Sequence, residues 1–133
     1  NQHLSRLAEA DLYIDAWPCN AHTTASEALW VGVPVVSVRG KTFAQRVAAS
    51  VLSAVGLPEL ACADVNAYRA TILALAGDAP RRARLREHLA AQAALSPLFQ
   101  GKAFVRELER LYRRMWDRAV RGQAPGHLEP EPA

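Results

Sequence analysis

Cysteine, long apolar runs and a strong charge of either sign are all scarce in this sequence, and each scarcity excludes a class of function. The two cysteines, Cys19 and Cys62, have neither CxxC nor metal-ligand spacing. That argues against a disulfide framework or a zinc site and for reduced thiols in a cytoplasmic protein. The opening residues do not read as a secretory leader, and no apolar run approaches the roughly 18 residues of a membrane span. Lys+Arg number 16 against 13 Asp+Glu, a formal net charge of +3. The basic residues gather in RRARLR (81–86) and along 102–121, where acidic residues are interleaved with them. This is the composition of a solvated helix face, and without an aromatic stacking motif it gives no expectation of a nucleic-acid partner. What is present is 133 residues, half of them hydrophobic, enough for the core of one ordinary domain.

The chain opens NQHLSRLAEAD, with no cap or initiator Met and with Leu4, Leu7 and Ala8 at helical spacing, as though a helix had been entered midway. It therefore reads as a fragment. DLYID (11–15) predicts a short buried strand, and a polar loop leads to Thr23 or Thr24, either able to cap a helix over about 24–31. Gly32-Val33-Pro34 stops that helix, in which Leu29, Trp30 and Val31 are expected to pack. PVVSV (34–38) is apolar and β-branched on both sides, the pattern of a strand covered on both faces, and a helix over roughly 43–55 follows. Strand, helix, strand and helix in this order predict a right-handed crossover and a parallel sheet. A brief strand around 60–62, helices over about 65–76 and 80–93, and a long helix over about 101–120 complete the pattern. In that last helix Phe104, Leu108, Leu111, Tyr112 and Met115 recur as a core stripe. The Pro-rich tail, 122–133, is expected to be extended or disordered. So few strands for so many helices imply the C-terminal part of a Rossmann-like nucleotide-binding domain, with its first strands before Asn1.

Between the first two strands lies a polar knot, Cys19-Asn20-Ala21-His22-Thr23-Thr24. In open α/β sheets ligands bind beyond the carboxyl ends of strands, where a helix start directs unpaired N–H groups and partial positive charge at them. Thr23 and Thr24 add hydroxyl donors, so an anion such as a diphosphate fits here, although a threonine in this place can equally serve as a cap. Glu27, one turn on, can accept from vicinal ribose hydroxyls or simply favour the helix dipole. His22 can donate to a phosphate or sugar hydroxyl or be solvated.

The stretch DAWPCNAHTTASEALWVGVPVVSVRGKTFAQRVAAS, followed by VGLPEL, SPLF and FVRELERLYRRMW, resembles the C-terminal end of the O-GlcNAc transferase and SPINDLY-like glycosyltransferases, whose bacterial members carry tetratricopeptide repeats. The resemblance covers roughly residues 3–121 and is most specific in N-x-H-T-T-x-x-[DE]-A-L-W-x-G-x-P with R-V-A-A-S behind it. It implies the C-terminal part of the nucleotide-sugar-binding half of a two-Rossmann (GT-B) enzyme, inverting and metal-independent, needing no cofactor and taking its UDP-sugar as a substrate. By that resemblance Thr23 and Thr24 hold the donor pyrophosphate, His22 lies beside the sugar, and Glu27 lies on the ribose. Cys19 matches a position near the sugar's acyl group, with an ordinary buried cysteine as the alternative, and His3 and Arg6 match an H-x-x-R that contacts the base. Both are otherwise plain surface residues. The family's glycine before His-Thr-Thr is Ala21 here.

The family's donor-binding lysines and its acceptor-side histidine would fall before Asn1, so the resemblance places the catalytic base upstream and names none in this chain. It also implies an upstream catalytic half and tetratricopeptide repeats in the same polypeptide, a protein acceptor, and a 101–120 helix that braces two lobes. Arg46 faces either the cleft or a surface carboxylate. The activity most consistent with these residues is transfer of N-acetylglucosamine from its UDP donor to Ser/Thr hydroxyls of proteins. Alternatives are a GDP-fucose donor, asparagine glycosylation, or a nucleotide-binding or interaction module without turnover.

Overall fold

The computed structural model describes residues 2–129. Its elements are α1 (Gln2–Ala8), β1 (Tyr13–Ile14), α2 (Thr23–Trp30), β2 (Val35–Val38), α3 (Val47–Ala54), β3 (Ala61–Cys62), α4 (Val65–Gly77), α5 (Ala79–Gln92) and α6 (Gly101–Val120). Single 3₁₀ turns fall at Phe43–Gln45, Pro58–Leu60 and Ala93–Leu95. The chain divides into two compact units, one running to Phe99 and one beginning at Gln100.

In the first unit the three strands form a parallel sheet in the order β1-β2-β3, with Tyr13 opposite Val35 and Val38 opposite Cys62. β2 is central, and all four of its residues are buried, as a strand covered on both faces requires. The Rossmann-like α/β expectation is met. Ala25, Ala28 and Leu29 of α2, Leu52 of α3, Leu60, Leu75 of α4 and Leu89 of α5 close over the strands. Truncating one such side chain, as in Leu52→Ala, costs about 2–5 kcal/mol.

α2 ends where the sequence places its stop. Gly32 has φ +82°, its N–H donates to Leu29 O, and the Val33 N–H donates to Ala28 O. This paired closure satisfies the last carbonyls of the helix and turns the chain straight into β2. Trp30 departs from its expected burial. It is 53% exposed, and its ring meets Phe99 edge-on at 4.9 Å between centroids.

The second unit contains α6, whose bounds match expectation while its packing does not. No residue of α6 is buried, and Phe104, Tyr112 and Met115 of the expected core stripe are exposed. Helical periodicity encodes an apolar face but not what covers it; among the described residues of this unit only 121–129 follow the helix. Residues 123–129 have no regular secondary structure, yet Arg118 Nε donates to Ala124 O and Arg114 Nη1 donates to Glu129 O, each at 2.6 Å. The rest of the tail, 130–133, lies outside the described residues.

Candidate functional site

The polar knot stands at the carboxyl end of β1 and leads into α2. Its conformation is set from below by Asp15, a carboxylate only 4% exposed. Asp15 Oδ1 accepts from the N–H of Ala16 at 2.8 Å and of Ala21 at 2.7 Å, while Oδ2 accepts from the Ser37 hydroxyl of β2 at 2.5 Å. The backbone oxygen of Asp15 accepts from the Tyr68 hydroxyl of α4. The three bonds to the Asp15 side chain are charge-assisted, a type about twice as strong as a neutral bond. Asn20, also buried, donates from Nδ2 to Val38 O at 3.3 Å, and its N–H donates to Ala44 O at 2.9 Å. The loop is thereby tied to the end of β2 and to the 3₁₀ turn at Phe43–Gln45. Among the described residues only glycines have a positive φ, so Ala21 sits in ordinary backbone.

His22 occupies the position before α2 and makes no side-chain cap bond. Thr23 and Thr24 are therefore helical residues rather than caps, and both are exposed. The first intrahelical bond is Ser26 N–H to His22 O, which leaves the earlier amides of α2 without a partner inside the helix. Tyr13 donates its hydroxyl to Thr24 Oγ1 at 3.2 Å, so the Thr24 hydrogen remains free to point elsewhere. The start of α2 thus offers backbone N–H and hydroxyl donors together, with the positive end of the helix dipole behind them.

One turn further along, Glu27 Oε2 lies 3.1 Å from His3 Nε2 of α1. Two residues separated by 24 positions in sequence are brought together, with the carboxylate one turn beyond the threonines. Arg6, three residues on from His3 in α1, is exposed. Cys19 is an exposed free thiol, not a buried one. Phe43 is 80% exposed and sets its ring edge-on against His22 at 6.0 Å between centroids.

Sequence reasoning singled out the knot and missed its supports. Ser37 is the one polar residue of PVVSV, and Asp15 directly follows the strand residues of DLYID, the only signals that marked them. Phe43 carried no signal, because its place beside His22 depends on the turn at 43–45.

The profile of Glycosyl transferase family 41 matches residues 1–108. The chain is 34% identical to the probable UDP-N-acetylglucosamine–peptide N-acetylglucosaminyltransferase SEC of Arabidopsis thaliana, over 97% of this chain and 13% of that protein. It is 37% identical to the probable UDP-N-acetylglucosamine–peptide N-acetylglucosaminyltransferase SPINDLY of Oryza sativa subsp. japonica, over 94% and 14% respectively. Among solved structures, a mutant of the Thermobaculum terrenum O-GlcNAc transferase superposes with a TM-score of 0.85 at 37% identity, covering 92% of this chain and 24% of that one. The chain thus spans about one-seventh of the length of these two plant relatives and about a quarter of the bacterial structure. With its profile match, its relatives and its fold in agreement, the chain belongs to glycosyl transferase family 41.

Proposed function

We propose that this chain forms the donor-binding side of an inverting protein glycosyltransferase, which takes UDP-N-acetylglucosamine and transfers its sugar to Ser/Thr hydroxyls of an acceptor protein. The observation that carries this reading is the uncapped start of α2, with the exposed Thr23 and Thr24 beside it. Thr23, Thr24 and the first amides of α2 receive the diphosphate; His22 lies toward the sugar, with Cys19 near its acyl group. Glu27 accepts from the ribose hydroxyls, and His3 and Arg6 flank the base. The His3–Glu27 contact supports this order, since it brings the base side and the ribose side of the site together. The names of the plant relatives, which specify a UDP-N-acetylglucosamine donor and a peptide acceptor, support the substrate pair.

As the acceptor hydroxyl attacks the anomeric carbon, the bond to the diphosphate breaks and negative charge grows on the leaving oxygen. Donors already aimed at that position stabilise the charge without reorganising, and in this reading they do so with no metal ion and no cofactor. The base that takes the hydroxyl proton is not among these residues. It belongs to an upstream catalytic half of a longer cytoplasmic polypeptide that also carries tetratricopeptide repeats; nucleic acid and membrane are not partners.

In the complete polypeptide, Thr23→Ala or Thr24→Ala should each lower kcat by about a hundredfold, or about 3 kcal/mol, with little change in thermal stability. Near-unchanged turnover in both variants would refute the assignment. Calorimetric titration with UDP and GDP should show binding of UDP alone. Preference for GDP points instead to a fucosyl donor, and binding of neither points to an interaction module.

A further inference from the structure

We propose that the groove lined by Arg39, Phe43, Arg46, Val47 and Ser50 is an acceptor subsite that reads acidic side chains of the polypeptide being glycosylated; this rests on the transferase reading above. The groove is open and encloses about 540 Å³. Arg39 is the first residue beyond β2 and so lies at the carboxyl end of the sheet, Phe43 rides on the 3₁₀ turn, and Arg46 precedes α3. Among the described residues, no Asp or Glu lines the groove.

Several arginines of the chain are already engaged. Arg82 and Arg86 donate to backbone carbonyls, Arg110 pairs with Glu107, and Arg114 and Arg118 donate to backbone carbonyls of the tail. Among the described residues, the Arg39 and Arg46 side chains have neither a hydrogen-bond nor an ion-pair partner, and both are exposed. Two guanidiniums converging on a groove without a carboxylate set up a positive potential, and α3 adds to it because no side chain caps its start. Guanidinium forks match carboxylates in a bidentate manner.

The occupant must also suit an apolar wall. Phe43, Val47 and Val51 line the same groove, and the Phe43 ring joins it to the donor site through His22. A compact diphosphate has no use for that wall and is served by the start of α2. An extended acidic segment presents carboxylates to the arginines and aliphatic atoms to Phe43, while its Ser or Thr reaches past His22.

The test uses the complete polypeptide and two fluorescent peptides, each with one serine, one flanked by aspartates and the other by asparagines. Anisotropy should show the aspartate peptide binding about tenfold more tightly, with the preference falling as salt is raised. Combining Arg39→Ala with Arg46→Ala should erase the preference and leave the Kd for UDP within about twofold, and Arg46→Glu should shift selection toward a lysine-flanked peptide. Equal binding of both peptides by the unaltered protein overturns the proposal, and that comparison requires no variant to fold. A preference that survives the double substitution also overturns it. So does a loss of UDP affinity in the double variant, which would assign the arginines to the donor. The transferase reading fails by a different route, through absent UDP binding or unaffected Thr23 and Thr24 variants, while the charge preference of the peptides remains measurable without UDP.

Discussion

At the scale of single residues, the most connected group beneath the site is a side chain that touches no substrate in this reading. Asp15 holds the loop from below by accepting from Ala16 and Ala21 and anchors that loop to β2 through Ser37. Asp15→Ala removes the acceptor shared by the Ala16 and Ala21 N–H groups and leaves the buried Ser37 hydroxyl without its partner, and should cost about 2–3 kcal/mol, read as a lower midpoint in urea. It should also weaken UDP binding by about tenfold, since a misplaced helix start loses its aim. Ser37→Ala removes only the strand-side arm and should destabilise the protein without that loss of affinity. Glu27 gives a different signature. Glu27→Ala should raise the KM for the donor about tenfold with little change in kcat, because a ribose contact is made equally in ground and transition states. The candidate positions were legible in sequence because they lie together in one stretch and in one H-x-x-R. Their supports were not, because Asp15, Ser37 and Tyr68 converge from three separate elements.

At the scale of elements, helix ends decide where the site sits. Residue 32 takes φ +82° with nothing within 4 Å of where a Cβ would stand, so Gly32→Ala carries a purely conformational cost of about 1 kcal/mol. Asp64 caps α4 by accepting from the Ala67 N–H at 2.8 Å, and Asp64→Ala should likewise lose about 1 kcal/mol in denaturant titrations. The helix expected over 43–55 is broken into the turn at 43–45 and α3. Backbone pairing explains the break: Ala44 O accepts from the Asn20 N–H and Gln45 O from the Gly40 N–H, so two carbonyls that a continuous helix would use are taken by loops, while Gln45 Oε1 accepts from the N–H of Lys41 and of Thr42 at the start of the turn. That turn delivers Phe43 to His22 and opens the groove between Arg39 and Arg46. Propensity alone reads through it, because glutamine is an ordinary helix former.

At the scale of the whole molecule, α4 is joined to the site by the Tyr68 hydroxyl donating to the backbone oxygen of Asp15. Burial raises the Tyr68 pKa above its ordinary 10.0, with the charges of Asp15 and Cys62 acting in the same direction. The folded state therefore favours the neutral phenol. Its contribution to stability is fully present below about pH 10 and is lost as pH rises through the elevated value. Urea midpoints should fall on this alkaline limb, and Tyr68→Phe should flatten it while lowering the midpoint at neutral pH by the loss of one hydrogen bond, about 1 kcal/mol. The sequence by itself determined the parallel α/β order, the burial of PVVSV on both faces and the polar helix start, because each follows from local periodicity and from hydrogen-bonding groups adjacent along the chain. Tertiary structure alone decided which distant residues hold that start open, that His3 reaches Glu27, and that Arg39 and Arg46 share a groove. Those outcomes depend on the three-dimensional meeting of segments, and no period along one segment encodes its neighbour.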